Sequence, residues 1–226
     1  MAPSQGGRDV TLPVVQTIEV SKNFGFFPAL KNISFEVRAG ESLAVLGPNG
    51  SGKSTLLKIV AAHMRPSSGQ VRVFGLNPVR NVRDIKRGVG YVAHGSFLYD
   101  ELTVEENLRF YQKMFSANTR GRGFEGLLEL LRLKGWMKTP VGSLSHGLRK
   151  RADIARALVH EPDLFLLDEP FSGLDEESRG VLIDYFSDRC GGATLLLSSH
   201  NVALARRVCH RGVFLDRGMV VRDVGF

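Results

Sequence analysis

The residues Gly47-Pro48-Asn49-Gly50-Ser51-Gly52-Lys53-Ser54 follow the spacing G-x-x-x-x-G-K-S, with Thr55 directly after. Glycines at this spacing let successive backbone N–H groups turn inward around phosphate oxygens. Lys53 has the reach for the β- and γ-phosphates of a nucleoside triphosphate, and the Ser54 hydroxyl can ligate Mg²⁺. The loop runs from the apolar stretch Ser42–Leu46 into Ser54–Ala62, whose apolar residues at 56, 59 and 60 suit a helix. The positive end of that helix would add to the phosphate site. A Gly-rich turn with an incidental lysine is the plain alternative, and the strand–loop–helix setting argues against it.

A phosphate loop needs a partner for its metal and a group to handle water. Asp168 ends the apolar run Leu164–Leu167, which places it at the carboxyl edge of a sheet, where ligands of α/β proteins bind. It is therefore expected to hold Mg²⁺, directly or through water. Glu169, the next residue, is placed to orient or deprotonate an attacking water. Asp168 would also serve as a helix N-cap before Pro170; the phosphate loop upstream favours the chemical role.

These groups need a scaffold that brings distant chain segments to one edge. Val14–Val20, Ile33–Val37, Ser42–Leu46, Val71–Phe74, Gly88–Val92, Leu164–Leu167 and Ala193–Leu197 read as strands, and Asp216-Arg217-Gly218 reads as a hairpin turn. The stretch from about residue 96 to 160 reads mostly helical. Thr103-x-x-Glu106 is a capping box, Leu127–Leu133 has helical spacing, and Gly147–His160 carries apolar groups at 148, 152, 155 and 159 with Arg149, Lys150 and Arg156 off that face. Buried strands alternating with helices imply an α/β fold with a mainly parallel sheet, into which the helical block is inserted. Residues 1–13 read as a disordered lead-in, and 14–226 as one domain.

Composition excludes several classes. The chain has 226 residues, 43% hydrophobic and 23% charged, which is too apolar for a disordered protein. No run is long and apolar enough to span a bilayer, and there is no heptad array. Two cysteines, Cys190 and Cys209, make no disulfide scaffold, so a reducing compartment is expected. The net charge of +7 suits an acidic partner or an anionic leaflet. Arg149-Lys150-Arg151 and Arg206-Arg207 are expected to be solvated helix faces, with no nucleic acid as partner. His63 and His160, near helix ends, are expected to act as caps.

With these motifs, three further signals resemble the ATP-binding subunit of ABC transporters. Leu144-Ser145-His146-Gly147-Leu148 is similar to the family signature LSGGQ, Ser172-Gly173-Leu174-Asp175 to its D-loop, and His200 to its switch histidine. Phe24 stands where the family stacks an aromatic on adenine. The resemblance runs from about Val14 to Val221. It implies a P-loop NTPase core with an antiparallel β subdomain and an inserted α-helical subdomain. It implies ATP and Mg²⁺ as ligands, Glu169, His200 and Lys53 as catalytic residues, and Ser54 and Asp168 at the metal. It also implies a head-to-tail dimer, with itself or a paralogous subunit, in which Ser145, Gly147 and Asp175 approach the nucleotide of the other copy. Integral membrane permease subunits would be the partners, at the cytoplasmic face of the membrane. Ser145 would in any case cap the following helix.

Two departures stand out. His94 occupies the place of the family's loop glutamine. A neutral imidazole offers a nitrogen lone pair and a protonated one does not, so weaker or pH-sensitive turnover is expected, unless His94 serves only to couple to the membrane subunit. In the signature, His146 replaces a glycine and Leu148 a glutamine, while Ser145 and Gly147 remain. His94 and the stretch Leu98-Tyr99-Asp100-Glu101-Leu102-Thr103 are most similar to the ATPase of the haem exporter of cytochrome c maturation. Phe97, Leu98 and Tyr99 are either exposed at the membrane-subunit contact or core of the helical block. The reading is a transport motor, for export. A soluble ABC ATPase of translation or DNA repair, and a nucleotide-gated clamp with little turnover, remain as alternatives.

Overall fold

The computed structural model of the chain describes residues 12–115, 123–189 and 193–226. Most of the expected lead-in, residues 1–11, lies outside the described residues, as do Cys190 and the 116–122 part of the helical block. Strands β1 (Val15–Phe24) and β2 (Phe27–Val37) form a hairpin, and β3 (Ser42–Leu46) leads through the phosphate loop into helix α1 (Lys53–Val60). Then follow β4 (Ser68–Val73), α2 (Val82–Gly88), β5 (Val89–Val92), α3 (Val104–Met114), α4 (Gly123–Leu130) and α5 (His146–Leu158). The chain closes with β6 (Leu164–Asp168), α6 (Glu176–Arg189), β7 (Thr194–Ser199), α7 (Val202–Arg206), β8 (Arg211–Asp216) and β9 (Met219–Gly225).

The strands make two sheets. The larger has the order β5-β6-β7-β3-β8-β9, parallel throughout except for the antiparallel edge strand β9. The smaller is antiparallel with the order β2-β1-β4. The fold class is the expected one: α/β, a mainly parallel core, an antiparallel sheet, and helices inserted between β5 and β6. All residues of β3, β5, β6 and β7 are buried, as continuous apolar runs covered on both faces must be. Their side chains alternate between two cores. Leu43 and Val45 join α1 and the small sheet, whereas Ala44 and Leu46 join α5 and α6.

Helix α3 carries the expected capping box, with Thr103 Oγ1 accepting from Glu106 N–H at 3.2 Å and Glu106 Oε2 accepting from Thr103 N–H at 2.8 Å. The helical block is shorter in helix than the sequence suggests. Residues 131–145 are turns and short 3₁₀ segments, begun by Arg132 at φ 51°, although Leu131 and Leu133 stay buried. The charged residues of α5 are the larger correction. Arg151 and Arg156 are each only 6% exposed. Arg156 pairs with Asp153 Oδ1 at 2.8 Å, donates to the Tyr91 carbonyl at 2.8 Å and lies over the rings of Phe97 and Tyr111. A guanidinium is held inside when a carboxylate, a carbonyl and aromatic faces all meet it.

The histidines differ too. His160 stacks on Phe115 at 4.0 Å and donates from Nε2 to the Val89 carbonyl at 3.2 Å, so it ties two elements together and caps neither. Burial lowers its pKa to about 4 against the partial compensation of that hydrogen bond. His63 packs on the rings of Tyr91 and Phe97, and burial lowers its pKa as well. Leu98 is buried, while Phe97 and Tyr99 are partly exposed.

Candidate nucleotide-binding site

The phosphate loop leaves the carboxyl end of β3 and turns into α1. Gly52 caps α1 at φ 106°, and a Cβ there would lie 2.6 Å from Leu30 Cδ2 and 2.7 Å from the Ala29 carbonyl, so only glycine fits. No side chain caps α1 and no acidic residue lies in its first turn, which leaves its N–H groups and positive end turned to the loop. Lys53 is 5% exposed and donates to the carbonyls of Gly47 at 2.8 Å and Pro48 at 3.0 Å.

Asp168 ends β6 directly opposite Ser198 in the register with β7. It is 1% exposed. Its Oδ1 accepts from Ser54 Oγ at 2.9 Å and from Ser198 Oγ at 2.6 Å, while its Oδ2 has no partner. Ser198 Oγ in turn accepts the N–H of Glu169 at 2.9 Å, and Glu169 sits at φ 49°, a strained conformation for a residue with a side chain. The Glu169 carboxylate spans two groups: Lys53 Nζ at 3.4 Å from Oε1 and His200 Nδ1 at 3.1 Å from Oε2. Ser54 and Asp168 fit a hard cation, because a buried carboxylate oxygen without a partner stands beside a hydroxyl. Among the described residues no three His, Cys, Asp or Glu side chains converge as a metal cage, so phosphate and water oxygens would fill the remaining positions.

A cleft of about 510 Å³ opens over these groups. It is lined by Phe24, Phe27 and Ala29 of the β1–β2 hairpin, by Asn49, Gly50, Gly52, Lys53, Ser54 and Thr55 of the phosphate loop and the start of α1, and by His94, Glu169, Ser172 and His200. Gly47, Pro48 and Ser51 belong to the loop without lining the cleft. A Cβ on Gly47 would meet the Leu215 carbonyl at 2.2 Å, and Ser51 is 2% exposed. Ser145, Gly147 and Asp175 do not reach the cleft. Ser145 caps α5, its Oγ accepting from Leu148 N–H at 3.3 Å. Asp175 accepts from the N–H and hydroxyl of Ser178 at 2.7 and 3.0 Å, and the first of these bonds does most to hold its carboxyl below the usual carboxylate range. A Cβ on Gly147 would stand 2.3 Å from Ser178 Oγ and 2.7 Å from Asp175 Oδ2, so these residues are packed on one another.

The sequence reading overlooked Phe27 and Ser198, and gave Ser172 only as part of the D-loop match, not as a residue of the cleft. Phe27 pairs with Phe24 across the hairpin, and Phe-Gly-Phe-Phe around a glycine is a visible signal. Ser198, a polar residue closing the run Leu195–Leu197 two positions before His200, is another.

The family model of ABC transporters matches residues 30–172, a span that holds the phosphate loop, the Ser145 segment and Asp168-Glu169. The chain belongs to the ABC transporter family. An ABC protein from Rhizobium etli, the Nod factor export ATP-binding protein I, is 35% identical over 208 residues, covering 91% of this chain and 66% of the relative. The ABC transporter ATP-binding protein NatA of Bacillus subtilis is 32% identical over 197 residues, covering 85% of this chain and 80% of that one. The chain thus spans just under two thirds of the Rhizobium etli relative. The fold matches a solved ATP-binding subunit of an ABC transporter with TM-score 0.86 and 30% identity, over 94% of this chain and 90% of that one. A dimeric ATP-binding cassette in a post-hydrolysis state with ADP and Pi matches with TM-score 0.83 and 27% identity, over 93% and 98%. The core is therefore an ABC ATPase fold. Among the described residues no helix is long and apolar enough to cross a membrane.

Proposed function

We propose that this chain is the ATP-hydrolysing subunit of an ABC exporter. The observation that carries the reading is the convergence of Phe24, Lys53, Glu169 and His200 on one cleft with Ser54, which donates to the buried Asp168. Phe24 would stack on adenine, and the loop amides with Lys53 would bind the phosphates. When bound, Mg²⁺ would neutralise phosphate charge from Ser54 and Asp168. Lys53 would leave Glu169 for the phosphates, freeing that carboxylate to orient the attacking water, with His200 holding its other oxygen.

Ser145, Gly147 and Asp175 lie outside this cleft, which supports a head-to-tail dimer, with itself or a paralogue, in which they face the nucleotide of the other copy. Phe97 and Tyr99, partly exposed beside α3, would lie near the contact with integral membrane permease subunits at the cytoplasmic face. Similarity to the Nod factor export protein supports export as the direction. The haem-export branch rests on His94 and the Ser145–Leu148 pattern; the relatives above bear other names. No nucleic acid is needed in this reading, and Glu169 with His200 in place speaks against a clamp without turnover.

The test is to tag the Glu169→Gln chain, hold it with ATP, and identify what co-purifies from detergent-solubilised membranes. A polytopic membrane protein in stoichiometric amount is expected, and cytochrome c maturation components would assign the haem branch. Recovery only from the soluble fraction, with ribosomes or nucleic acid, would overturn the transporter reading.

A further inference from the structure

His94 and His146 are two positions where this chain carries an imidazole in place of the family residue, and the fold brings them to one cavity. This cavity of about 220 Å³ is lined by His94, Ser96, His146, Arg149, Lys150 and Asp153. It is distinct from the nucleotide cleft, and His94 lines both.

Its chemistry is rich in donors. Lys150 donates to the Ala93 carbonyl at 3.2 Å, and burial lowers its pKa, the mark of a cation short of solvation. Arg149 pairs with Asp100, and Ser96 adds a hydroxyl. Against these stands one buried acceptor. Asp153 is 1% exposed, its Oδ1 is taken by Arg156, and its Oδ2 has no partner. Two imidazoles and a carboxylate suggest a metal, but no three such side chains among the described residues come close enough to hold one. Four basic or imidazole groups with one carboxylate match an oxyanion that still carries a proton.

We propose that this cavity binds inorganic phosphate in its monohydrogen form, as a station for phosphate leaving the nucleotide cleft past His94. Lys150, Arg149, Ser96 and the imidazoles donate to its unprotonated oxygens, and Asp153 Oδ2 accepts from its P–OH. Sulfate carries no proton at neutral pH and meets Asp153 as a like charge, so the site selects phosphate over sulfate. Only the source of the phosphate rests on the ATP-hydrolysis reading.

The test saturates the full chain with Mg²⁺ and a non-hydrolysable ATP analogue, which fills the phosphate loop, and then titrates inorganic phosphate by calorimetry. The account predicts one phosphate per chain. It predicts binding at least about tenfold weaker for sulfate, and at least about tenfold weaker for phosphate in Lys150→Met and in His146→Gly, the scale of one charge-assisted hydrogen bond. No phosphate binding, equal binding of sulfate, or unchanged affinity in both variants would overturn it. If the analogue itself does not bind, the nucleotide reading fails at that first step. The same phosphate and sulfate titrations on the bare chain, Lys150→Met and His146→Gly then decide the cavity by difference: a phosphate site that weakens at least about tenfold in the variants supports it, and affinity unchanged in both overturns it.

Discussion

The cleft around Lys53 and the face around Ser145 contrast in what they leave open. In the cleft, buried polar atoms wait for a ligand: Asp168 Oδ2 has no partner, and Lys53 is parked on the carbonyls of Gly47 and Pro48 with Glu169 nearby. At the other face the groups satisfy one another. Ser145 caps its own helix, Asp175 caps α6 through Ser178, and Gly147 is packed on both of these D-loop neighbours. One region is a pocket built to receive phosphate charge. The other is a rigid helix start that can act only on something brought to it. On the proposed reading, a single chain carries two half-sites rather than one site.

That contrast can be broken first at Lys53. Lys53→Ala removes the lysine whose ammonium the phosphate loop holds in this cleft, so turnover is expected to fall at least about a hundredfold, measured by phosphate release, with the fold intact by circular dichroism. Turnover near that of the parent would mean the cleft is not the reacting site. The second strike is at Ser198, which joins Asp168 and Glu169 from the neighbouring strand. Ser198→Ala should lower kcat about tenfold to a hundredfold with nucleotide affinity little changed, and Ser198→Thr should restore most of it. A loss confined to KM would contradict a positioning role. Phe24→Ala should raise KM for ATP about tenfold and leave kcat largely unchanged, because base stacking binds substrate and transition state alike.

The smallest expected effect lies away from both half-sites. His160 has its pKa lowered to about 4 in the fold, against an ordinary value near 6.5. The unfolded chain binds the proton more readily, so this residue's contribution is fully present above pH ~6.5 and is lost as the pH falls towards ~4. The linkage amounts to about 2 kcal/mol between pH 7 and pH 5. Urea unfolding should show that loss in the parent and a smaller one in His160→Gln. Equal slopes would remove His160 from the account.

The sequence made the cleft legible where the site is contiguous. The phosphate loop lies in one stretch, and Asp168-Glu169 stand at the end of an apolar run, so strand placement follows from pattern alone. Ser198 and Phe27 leave visible traces in the sequence, but only cross-strand register places them at the cleft, and register is a tertiary property. Helix α6 was overlooked because Val181, Leu182, Ile183, Tyr185 and Phe186 are all buried, leaving no single apolar stripe to find. Arg151 lies inside although charge at helical spacing reads as solvated, because its surroundings, the Leu131 carbonyl among them, are known only in the fold. The packing of Gly147 on Asp175 joins segments far apart in the chain, so it too appears only in the fold.

The central claim is that the two half-sites of one chain serve two different nucleotides. Mixing two inactive variants tests it most directly. Lys53→Ala destroys the cleft and spares the Ser145 face; Ser145→Arg does the reverse. A head-to-tail dimer of the two contains one undamaged composite site. The account predicts that each variant alone is inactive and that the mixture recovers a substantial fraction of parental turnover, rising with the proportion of mixed dimers. A mixture as inactive as its components, with mixed dimers shown to form, would contradict it.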